Sequence, residues 1–312
     1  MIIRFWGVRG SIPSPQSPAQ IKSKISSILE RITSADLESS QTRERFLSDL
    51  PPWLFGTVGG NTPCIQVESD DTIQFILDAG SGIRDLGITL FKARKKATEI
   101  HLFFSHLHWD HIQGLPFFGP AYDPSVNLHF YSPHETMETA LRQQMQNPCF
   151  PITMDSMNAQ KHFHQLTGPV QIGDMSIYFK QMNHPGSSYS YMFTDGKKRF
   201  IYATDTELSP NDFQRNDENA AFFGGADVLI IDAQYTLGEA IEKYNWGHSA
   251  FSLAVDFASN WGISKLLLFH HDPTYDDKKL YGILQSARWY TEHSAIKGLD
   301  VRLATEGMEI QL

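Results

Sequence analysis

Cysteine is scarce in this sequence, and long apolar runs are missing from it. Only Cys64 and Cys149 occur among the 312 residues, which excludes a four-cysteine zinc site and argues against a disulfide framework. No apolar run approaches the roughly 20 residues that a membrane helix needs, and the N-terminus has no basic segment followed by a long apolar one. We therefore expect a reduced, cytoplasmic protein without a membrane segment.

Positive charge is also in short supply. Lys and Arg number 26 against 35 Asp and Glu, which gives a formal net charge of −9. Such a surface repels phosphate backbones at long range and argues against a general nucleic-acid binder. It does not exclude a small anionic substrate held at a metal site. Histidine, with 13 copies, is the one residue type in excess.

Short apolar segments, many of them followed by polar clusters, predict the strands. They span residues 2–6, 64–68, 73–77, 99–104, 128–131, 170–181, 189–194, 200–203, 228–231 and 265–269. Helices are predicted over residues 83–96, 133–146 and 249–260. Strands first, then strand–helix alternation in each half, predict two β-sheets packed between helices.

Residues 14–55 differ from their surroundings, since they are rich in Ser, Lys, Glu and Arg and poor in aromatics. Ser17 followed by Pro18 is a helix start signal, and a second helical piece is predicted to end at Leu50, before Pro51. Five apolar residues recur at helical spacing: Ile21, Ile25, Ile28, Leu29 and Ile32. We interpret the segment as a helical surface insertion that packs this apolar stripe on the rest of the domain. A lid, or a contact that forms a homodimer, is the alternative.

The strongest chemical signal lies just past the strand predicted at 99–104. His106, His108, Asp110 and His111 place four candidate ligands within six residues. Imidazole nitrogens and carboxylates are the ligands that Zn, Mn and Fe accept near neutral pH. A loop at a strand end can turn several such side chains toward one point. The run therefore predicts a metal site.

Further candidate ligands follow other apolar strands. They are His184, Asp205, and either His270 or His271. Because strand ends converge on one edge of a sheet, these residues are expected to meet the first cluster. The pooled set of five histidines and two aspartates suits two metals roughly 3.5–4 Å apart, bridged by a carboxylate.

Together these residues resemble the metallo-β-lactamase-fold hydrolases, whose signature is His-x-His-x-Asp-His followed by a later His, Asp and His. The resemblance covers essentially the whole chain outside residues 14–55. The flanking sequence is closer to the branch that holds the PhnP-type cyclic-phosphate phosphodiesterases and tRNase Z, through residues 7–13, 59–62 and 247–249 and the single Asp205. The resemblance implies the αββα fold of this superfamily, as one domain over residues 1–312 with a helical insertion at about 14–55.

The resemblance also implies roles for individual residues. One metal is held by His106, His108 and His184, the other by Asp110, His111 and His270, with Asp205 bridging both. Asp78 orients a ligand histidine. His248 matches a histidine that serves the scissile phosphate, and Asp232 stands where that branch carries an acid that supports it. The metals are expected to be Zn or Mn, with Fe a further option.

One ligand position can be filled by either of two adjacent residues, His270 or His271. The last ligand in the family follows an apolar strand after a step that Leu268-Phe269-His270 matches, so we expect His270 to bind. The other histidines are interpreted without a chemical role. His101 is expected to pack within a strand. The remaining five are expected on the surface: His129, His134, His162, His164 and His293.

The leading hypothesis is a dinuclear metal-dependent phosphodiesterase that acts on a small or cyclic phosphodiester, with Asp110, His248 and Asp232 as catalytic residues. One rival is tRNA 3′ processing, which uses a long Gly- and basic-rich arm; the helical segment 14–55 is mixed in charge and lies at a different point. A second rival is hydrolysis of a carbon ester or lactone on the same fold. A scaffold without chemistry would have broken ligands, and here none is missing.

Overall fold

The computed structural model describes residues 1–68, 73–92 and 97–312. The strands are β1 (Ile2–Gly7), β2 (Cys64–Glu68), β3 (Ile73–Leu77), β4 (Glu99–Phe103), β5 (Asn127–Ser132), β6 (Gln160–Gln165), β7 (Val170–Ile172), β8 (Met175–Met182), β9 (Ser188–Thr194), β10 (Arg199–Ala203), β11 (Val228–Asp232), β12 (Lys265–Phe269), β13 (Asp300–Leu303) and β14 (Glu309–Gln311). The helices are α1 (Pro18–Leu29), α2 (Ser40–Asp49), α3 (Pro52–Phe55), α4 (Ile83–Lys92), α5 (Trp109–Ile112), α6 (Met137–Gln144), α7 (Asp217–Phe223), α8 (Leu237–Glu242), α9 (Phe251–Asn260) and α10 (Asp277–His293).

The strands form two mixed sheets of seven. The first has the order β14-β1-β2-β3-β4-β5-β6 and the second β13-β12-β11-β10-β9-β8-β7. In each sheet one half is antiparallel and the other parallel: β3 to β6 run parallel in the first sheet, and β10 to β13 in the second. The parallel halves supply the strand ends at which the candidate ligands lie.

The main core lies between the two sheets, where side chains of both inner faces are buried. Phe5 and Phe103 from the first sheet and Tyr191 and Phe200 from the second are 0–1% exposed. Helices α9 and α10 pack on the outer side of the second sheet, whereas α4 and α6 pack with the outer side of the first. The helix–sheet–sheet–helix order confirms the predicted αββα fold.

Three candidate site residues have a positive φ angle within two residues of a strand end. Asp78 follows β3, Asp205 follows β10 and His270 follows β12, with φ angles of 59°, 44° and 56°. Non-glycine residues adopt this left-handed region at a cost, and Asn, Asp and His adopt it more often than other types. The sharp turn at each strand end directs these side chains to the edge of the sandwich instead of into its core.

The insertion is helical, as predicted, but its predicted packing is wrong. Helix α1 starts at Pro18 with Ser17 as its N-cap, and α2 ends at Asp49. Neither helix has a buried residue, and Ile21, Ile25 and Leu29 of the stripe are 46%, 53% and 65% exposed. An ion pair attaches α1 to the rest of the domain instead of the apolar stripe. Lys24 Nζ lies 2.5 Å from Asp277 Oδ2, and Asp277 is only 3% exposed. A buried carboxylate needs such partners.

Several element predictions also need correction. Residues 160–165, for which no element was predicted, form the edge strand β6, and the strand predicted at 170–181 divides into β7 and β8. The helix predicted at 133–146 starts only at Met137. The described part of α4 ends at Lys92, and the predicted end at residue 96 lies outside the described residues. No helix among the residues described has the length and apolarity needed to cross a bilayer.

Candidate metal centre

The first group of candidate ligands combines the histidine run with the end of β8 and the end of β10. His106, His108, His184 and Asp205 offer ligand atoms that all lie within 4.8 Å of one another. His184 Nε2 is 3.1 Å from His108 Nδ1, and Asp205 Oδ2 is 3.6 Å from His106 Nε2. His108 is the exposed member of the group, so the group opens to solvent on its side.

The second group lies beside the first and shares Asp205 with it. Asp110, His111, His270 and Asp205 again place all ligand atoms within 4.8 Å. Asp205 Oδ1 is 3.1 Å from His111 Nε2 and 3.2 Å from His270 Nε2, and Asp110 Oδ2 is 3.3 Å and 3.2 Å from the same two nitrogens. One oxygen of Asp205 therefore faces each group, which is the arrangement expected of a bridging carboxylate.

The donor atoms at this point suit cations. His106 Nε2 and His111 Nε2 are buried and have no hydrogen-bond partner among the described residues. Nitrogen with carboxylate oxygen is the donor set of Zn and Mn sites. Burial, followed by the nearby charge of His111, holds the pKa of His106 well below its usual range, so its lone pair is available. Burial opposes ionisation of Asp205, but His270 and His111 outweigh it and hold its pKa well below the usual value. The residues present fit divalent metals.

A network behind the second group orients His111. Asp78 Oδ2 accepts from His111 Nδ1 at 2.8 Å and from the hydroxyls of Ser105 and Tyr202 at 2.7 Å each. The ring is thereby fixed with Nε2 toward Asp205. This contact places Asp78 where the predicted role requires it, since ligand histidines are commonly held through their second nitrogen.

Two further contacts tie ligand side chains to the backbone. His184 Nδ1 donates to the carbonyl of Gly247 at 2.8 Å, and Asp110 Oδ2 accepts from the amide of Ser11 at 2.7 Å. Ser11 has a φ of 62°, so the loop after β1 is strained at the point where it contacts Asp110. These contacts leave His184 Nε2 facing the first group and hold Asp110 in the second.

His248 forms a close pair with Asp232 next to both groups. Its Nδ1 lies 2.6 Å from Asp232 Oδ2, and its ring centroid is 5.3 Å from that of His184 and 5.0 Å from that of His270. Burial disfavours the imidazolium form, but Asp232 outweighs burial and raises the pKa of His248 to about 9. The structure thus places the imidazole of His248 beside the centre, in contact with the acid that the sequence proposed for it.

The structure separates the adjacent pair His270 and His271. His270 Nε2 faces Asp110 and Asp205, as described above, whereas His271 Nε2 donates to the carbonyl of Ala304 at 2.9 Å. Burial, with the charge of Arg9, lowers the pKa of His271 to about 3. His271 is therefore a neutral structural residue whose ring points away from the second group, and His270 remains the predicted ligand.

The histidines outside the centre are only partly where the sequence placed them. His101 is buried within β4, and His162 and His293 are exposed, as expected. His129, His134 and His164 are half-buried, so their predicted surface position is wrong. For His129 and His164 the reason is β6, which was not foreseen: in register with β4 and β5, it stacks His101, His129 and His162 in one row at centroid distances of 4.7 and 4.6 Å. His134 is instead covered by the loop before β9, where its Nε2 lies 2.9 Å from the carbonyl of Ser187.

Sequence reasoning missed the residues that support the ligands. Ser105 and Tyr202 hold Asp78, and Thr204 donates to Asp205 Oδ1 at 2.6 Å. Ser105 and Thr204 each directly precede a ligand at a strand end, which was an available signal. Tyr202 lies in β10, 124 residues from Asp78, and no local pattern could have paired the two.

Comparison with known proteins assigns the chain to a family. The model of the Beta-lactamase superfamily domain matches residues 74–271, and the chain belongs to this family. It is similar to Ribonuclease Z of Oceanobacillus iheyensis, with 23% identity over 245 residues that cover 62% of this chain and 77% of that protein.

Two solved structures resemble the chain over nearly its full length. The metallo-beta-lactamase fold protein YhfI from Bacillus subtilis has a TM-score of 0.65 and 18% identity, covering 99% of this chain and 98% of that one. A diphosphatase from the PhnP family has a TM-score of 0.64 and 16% identity, covering 100% and 97%. At such identities the likeness establishes the fold. The family match and the fold together make the chain a metallo-β-lactamase-fold hydrolase, and this fold implies divalent metal binding.

Proposed function

We propose that this member of the β-lactamase superfamily is a dinuclear metal-dependent phosphodiesterase acting on a small or cyclic phosphodiester. The observation that carries the proposal is the placement of Asp205, whose two oxygens face two separate groups of histidines. The His248–Asp232 pair beside both groups supports phosphate chemistry. A site built for one metal would need neither the second group nor the shared carboxylate.

The seven predicted ligands would hold the metals as two sets. His106, His108 and His184 would bind one, Asp110, His111 and His270 the other, and Asp205 both. Two divalent cations, when bound, make water acidic enough to attack at neutral pH and neutralise charge on phosphate oxygens. We assign Zn or Mn to the site because these metals accept imidazole and carboxylate together, with Fe a further option.

The catalytic work of the protein itself would fall to His248 and Asp110. Because Asp232 occupies Nδ1 of His248, the other ring nitrogen is left to donate to a phosphate oxygen or to protonate the leaving alkoxide. Asp110, fixed by the amide of Ser11, would accept a hydrogen bond from the attacking water. Asp232 would act by keeping His248 cationic and oriented.

Ribonuclease activity is the second candidate, because the curated relative named above is a ribonuclease Z. Two features of this chain weigh against a large RNA substrate. The net charge is −9, which repels a polyanion. Residues 14–55 contain five basic and five acidic residues and no glycine, unlike a Gly- and basic-rich arm. The proposed substrate therefore stays small.

A turnover panel tests the proposal. Protein loaded with Mn or Zn would be assayed against bis-p-nitrophenyl phosphate, cyclic nucleotides, ribose cyclic phosphate, pre-tRNA and a lactone, with the Asp205→Ala variant as the metal-free control. We expect hydrolysis of small phosphodiesters that the variant lacks. Activity on the lactone alone would indicate a carbon-ester hydrolase, and activity on pre-tRNA alone a ribonuclease; either result would contradict the proposal.

A further inference from the structure

Two tryptophans flank the metal centre and remain exposed to solvent. Trp109 lies between His108 and Asp110 and is 73% exposed, although the next three residues of α5 are buried. Trp246 precedes Gly247 and His248 and is 62% exposed. Large aromatic side chains normally contribute to cores or interfaces, so two of them left open beside candidate ligands require an explanation.

Both tryptophans are connected to the centre through His184. His184 Nε2 lies 3.1 Å from His108 Nδ1, next to Trp109, and its Nδ1 donates to the carbonyl of Gly247, next to Trp246. His108 is itself exposed. The two indoles are therefore carried by adjoining segments at the open side of the first ligand group.

The loop that presents Trp246 is held on both sides. The two oxygens of Glu207 accept from the amides of Asn245 and Gly247 at 3.1 and 3.0 Å. The amide of Glu207 in turn donates to the carbonyl of Asn183, the neighbour of His184, at 2.8 Å. A loop that is already fixed loses little conformational entropy when one of its side chains binds a ligand. Trp246 is therefore preorganised for contact with a ligand.

Other contacts place Trp246 on the side of the centre where His248 lies. The Lys243 ammonium lies 5.9 Å from the Trp246 ring and 4.2 Å from the ring of Tyr235, and the Tyr235 ring meets that of His248 edge-on at 5.8 Å. A chain of contacts thus links His248 to Trp246 through the buried ring of Tyr235 and the ammonium of Lys243. Of these residues, Trp246 is the exposed aromatic that a group attached to a phosphate at His248 would meet.

We infer that Trp109 and Trp246 form a stacking rim that binds the nucleobase of a nucleotide phosphodiester. This inference rests on the proposed function and narrows its substrate class. Every base offers a flat π face to an indole, and such stacking is worth about tenfold in affinity per ring. A sugar phosphate without a base would leave the rim empty. The rim therefore sets a preference for base-bearing substrates over equally reactive phosphodiesters.

The test compares two substrates with the same reacting group. Adenosine 2′,3′-cyclic phosphate and ribose 2,3-cyclic phosphate share the sugar and the cyclic phosphodiester, and only the first has a base. We expect the wild-type kcat/KM to favour the adenosine compound about tenfold or more. Trp246→Ala and Trp109→Ala should each lower that ratio several-fold, and Trp246→Phe should retain most of it. The dinucleotide ApA tests whether an oligonucleotide end can supply the base.

Trp289→Ala is the matched control, because Trp289 is 60% exposed but lies on α10 and stacks on His293. The ratio of kcat/KM values for this variant should equal that of wild type.

Equal kcat/KM for the two substrates in wild type would overturn the inference and leave the proposed function intact. If neither substrate turns over, the panel of small phosphodiesters given above decides the proposed function, and calorimetric binding of AMP against ribose 5-phosphate tests the stacking rim separately: equal affinities would overturn the inference. A change of mass in solution for Trp246→Ala would identify the rim as a contact between copies and contradict the inference.

Discussion

The chain contains two clusters of histidines, and they are built on different principles. At the metal centre, five imidazoles approach from the ends of separate strands and from the 106–111 loop, and their nitrogens surround the oxygens of Asp110 and Asp205. In the histidine row, His101, His129 and His162 stand side by side on parallel strands with their rings stacked face to face. The first cluster converges on a point, whereas the second runs along a sheet.

This difference explains why only one cluster suits a metal. Stacked rings share their faces and keep their nitrogens apart. Within the described residues, the carboxylate in contact with the row is that of Glu99, whose Oε2 lies 3.2 Å from His129 Nε2. His129 Nδ1 is 3.1 Å from His164 Nε2, which matches the nitrogen spacing at the centre but lacks a third ligand. A high local count of histidines therefore does not define a metal site. Convergence with carboxylates does.

The largest expected effect follows removal of the shared carboxylate. Asp205→Ala should lose both metals and lower kcat/KM by on the order of 10⁴-fold or more, because each group loses a ligand and the bridge. The matched change in the histidine row, His129→Ala, should keep full metal content. Elemental analysis and turnover of both variants check the contrast. Retention of two metals by Asp205→Ala would remove the distinction between the clusters.

The next effect concerns one metal only. His270→Ala should bind a single equivalent, because His270 Nε2 faces the oxygens of the second group. His271→Ala should keep two, because its ring is committed to the carbonyl of Ala304. Metal titration by calorimetry separates the variants. The reverse pattern would move the ligand assignment to His271.

A smaller effect, without loss of metal, is expected at His248. His248→Ala should keep both metals and the fold but lower kcat by roughly 10²–10⁴-fold, the usual contribution of a positioned acid or base. The loss should shrink for a p-nitrophenyl diester, whose leaving group needs little protonation. If it does not shrink, His248 binds the phosphate instead. Near-normal turnover on every diester would contradict both roles.

The smallest expected effect concerns His101 in the histidine row, and it changes the stability of the fold instead of the activity. Burial lowers the pKa of His101 from 6.5 to about 4, and the neighbouring charge of His129 adds to it. Below pH 6.5 the unfolded chain therefore binds a proton on His101 that the folded chain does not bind. The free energy of unfolding falls by roughly 3 kcal/mol as the pH drops from 6.5 to 4, and it levels off below pH 4. His101→Phe should remove this part of the acid sensitivity.

Denaturant unfolding of His101→Phe and wild type between pH 7 and pH 4 measures that contribution. The difference between the two proteins should move in favour of the variant as pH falls. His162→Phe serves as the control, because His162 is exposed at the end of the row. Parallel pH curves for His101→Phe and wild type would show that the row does not resist protonation.

The sequence allowed the fold and the members of the centre to be predicted because both depend on local patterns. Apolar strands followed by polar residues marked Asp205 and the pair His270 and His271, and parallel pairing brings such strand ends together. The family resemblance supplied Asp78 and the choice of His270. The hydrogen bonds that hold these side chains could not be predicted, because their partners are distant in the sequence. Tyr202 reaches Asp78 from the second sheet, and Ser11 reaches Asp110 from the loop after β1.

The errors have equally physical causes. Strand β6 lies at a sheet edge, where polar residues are tolerated, so its Lys-His-Phe-His sequence lacked an apolar signal, and the stacking of His129 and His164 went unforeseen with it. The stripe of α1 was assumed to pack because it is apolar. Its position is instead set by the pair of Lys24 with the buried Asp277, which no periodicity reveals. Its role as a lid or homodimer contact stays a prediction.

Metal stoichiometry tests the account most directly, because every role assigned to the centre depends on two ligand groups that share Asp205. The wild-type chain would be purified without chelator, loaded with Mn or Zn, freed of excess metal and analysed by inductively coupled plasma mass spectrometry. The account predicts two equivalents per chain. A value that stays near zero after loading would contradict the metal centre and the hydrolytic mechanism built on it.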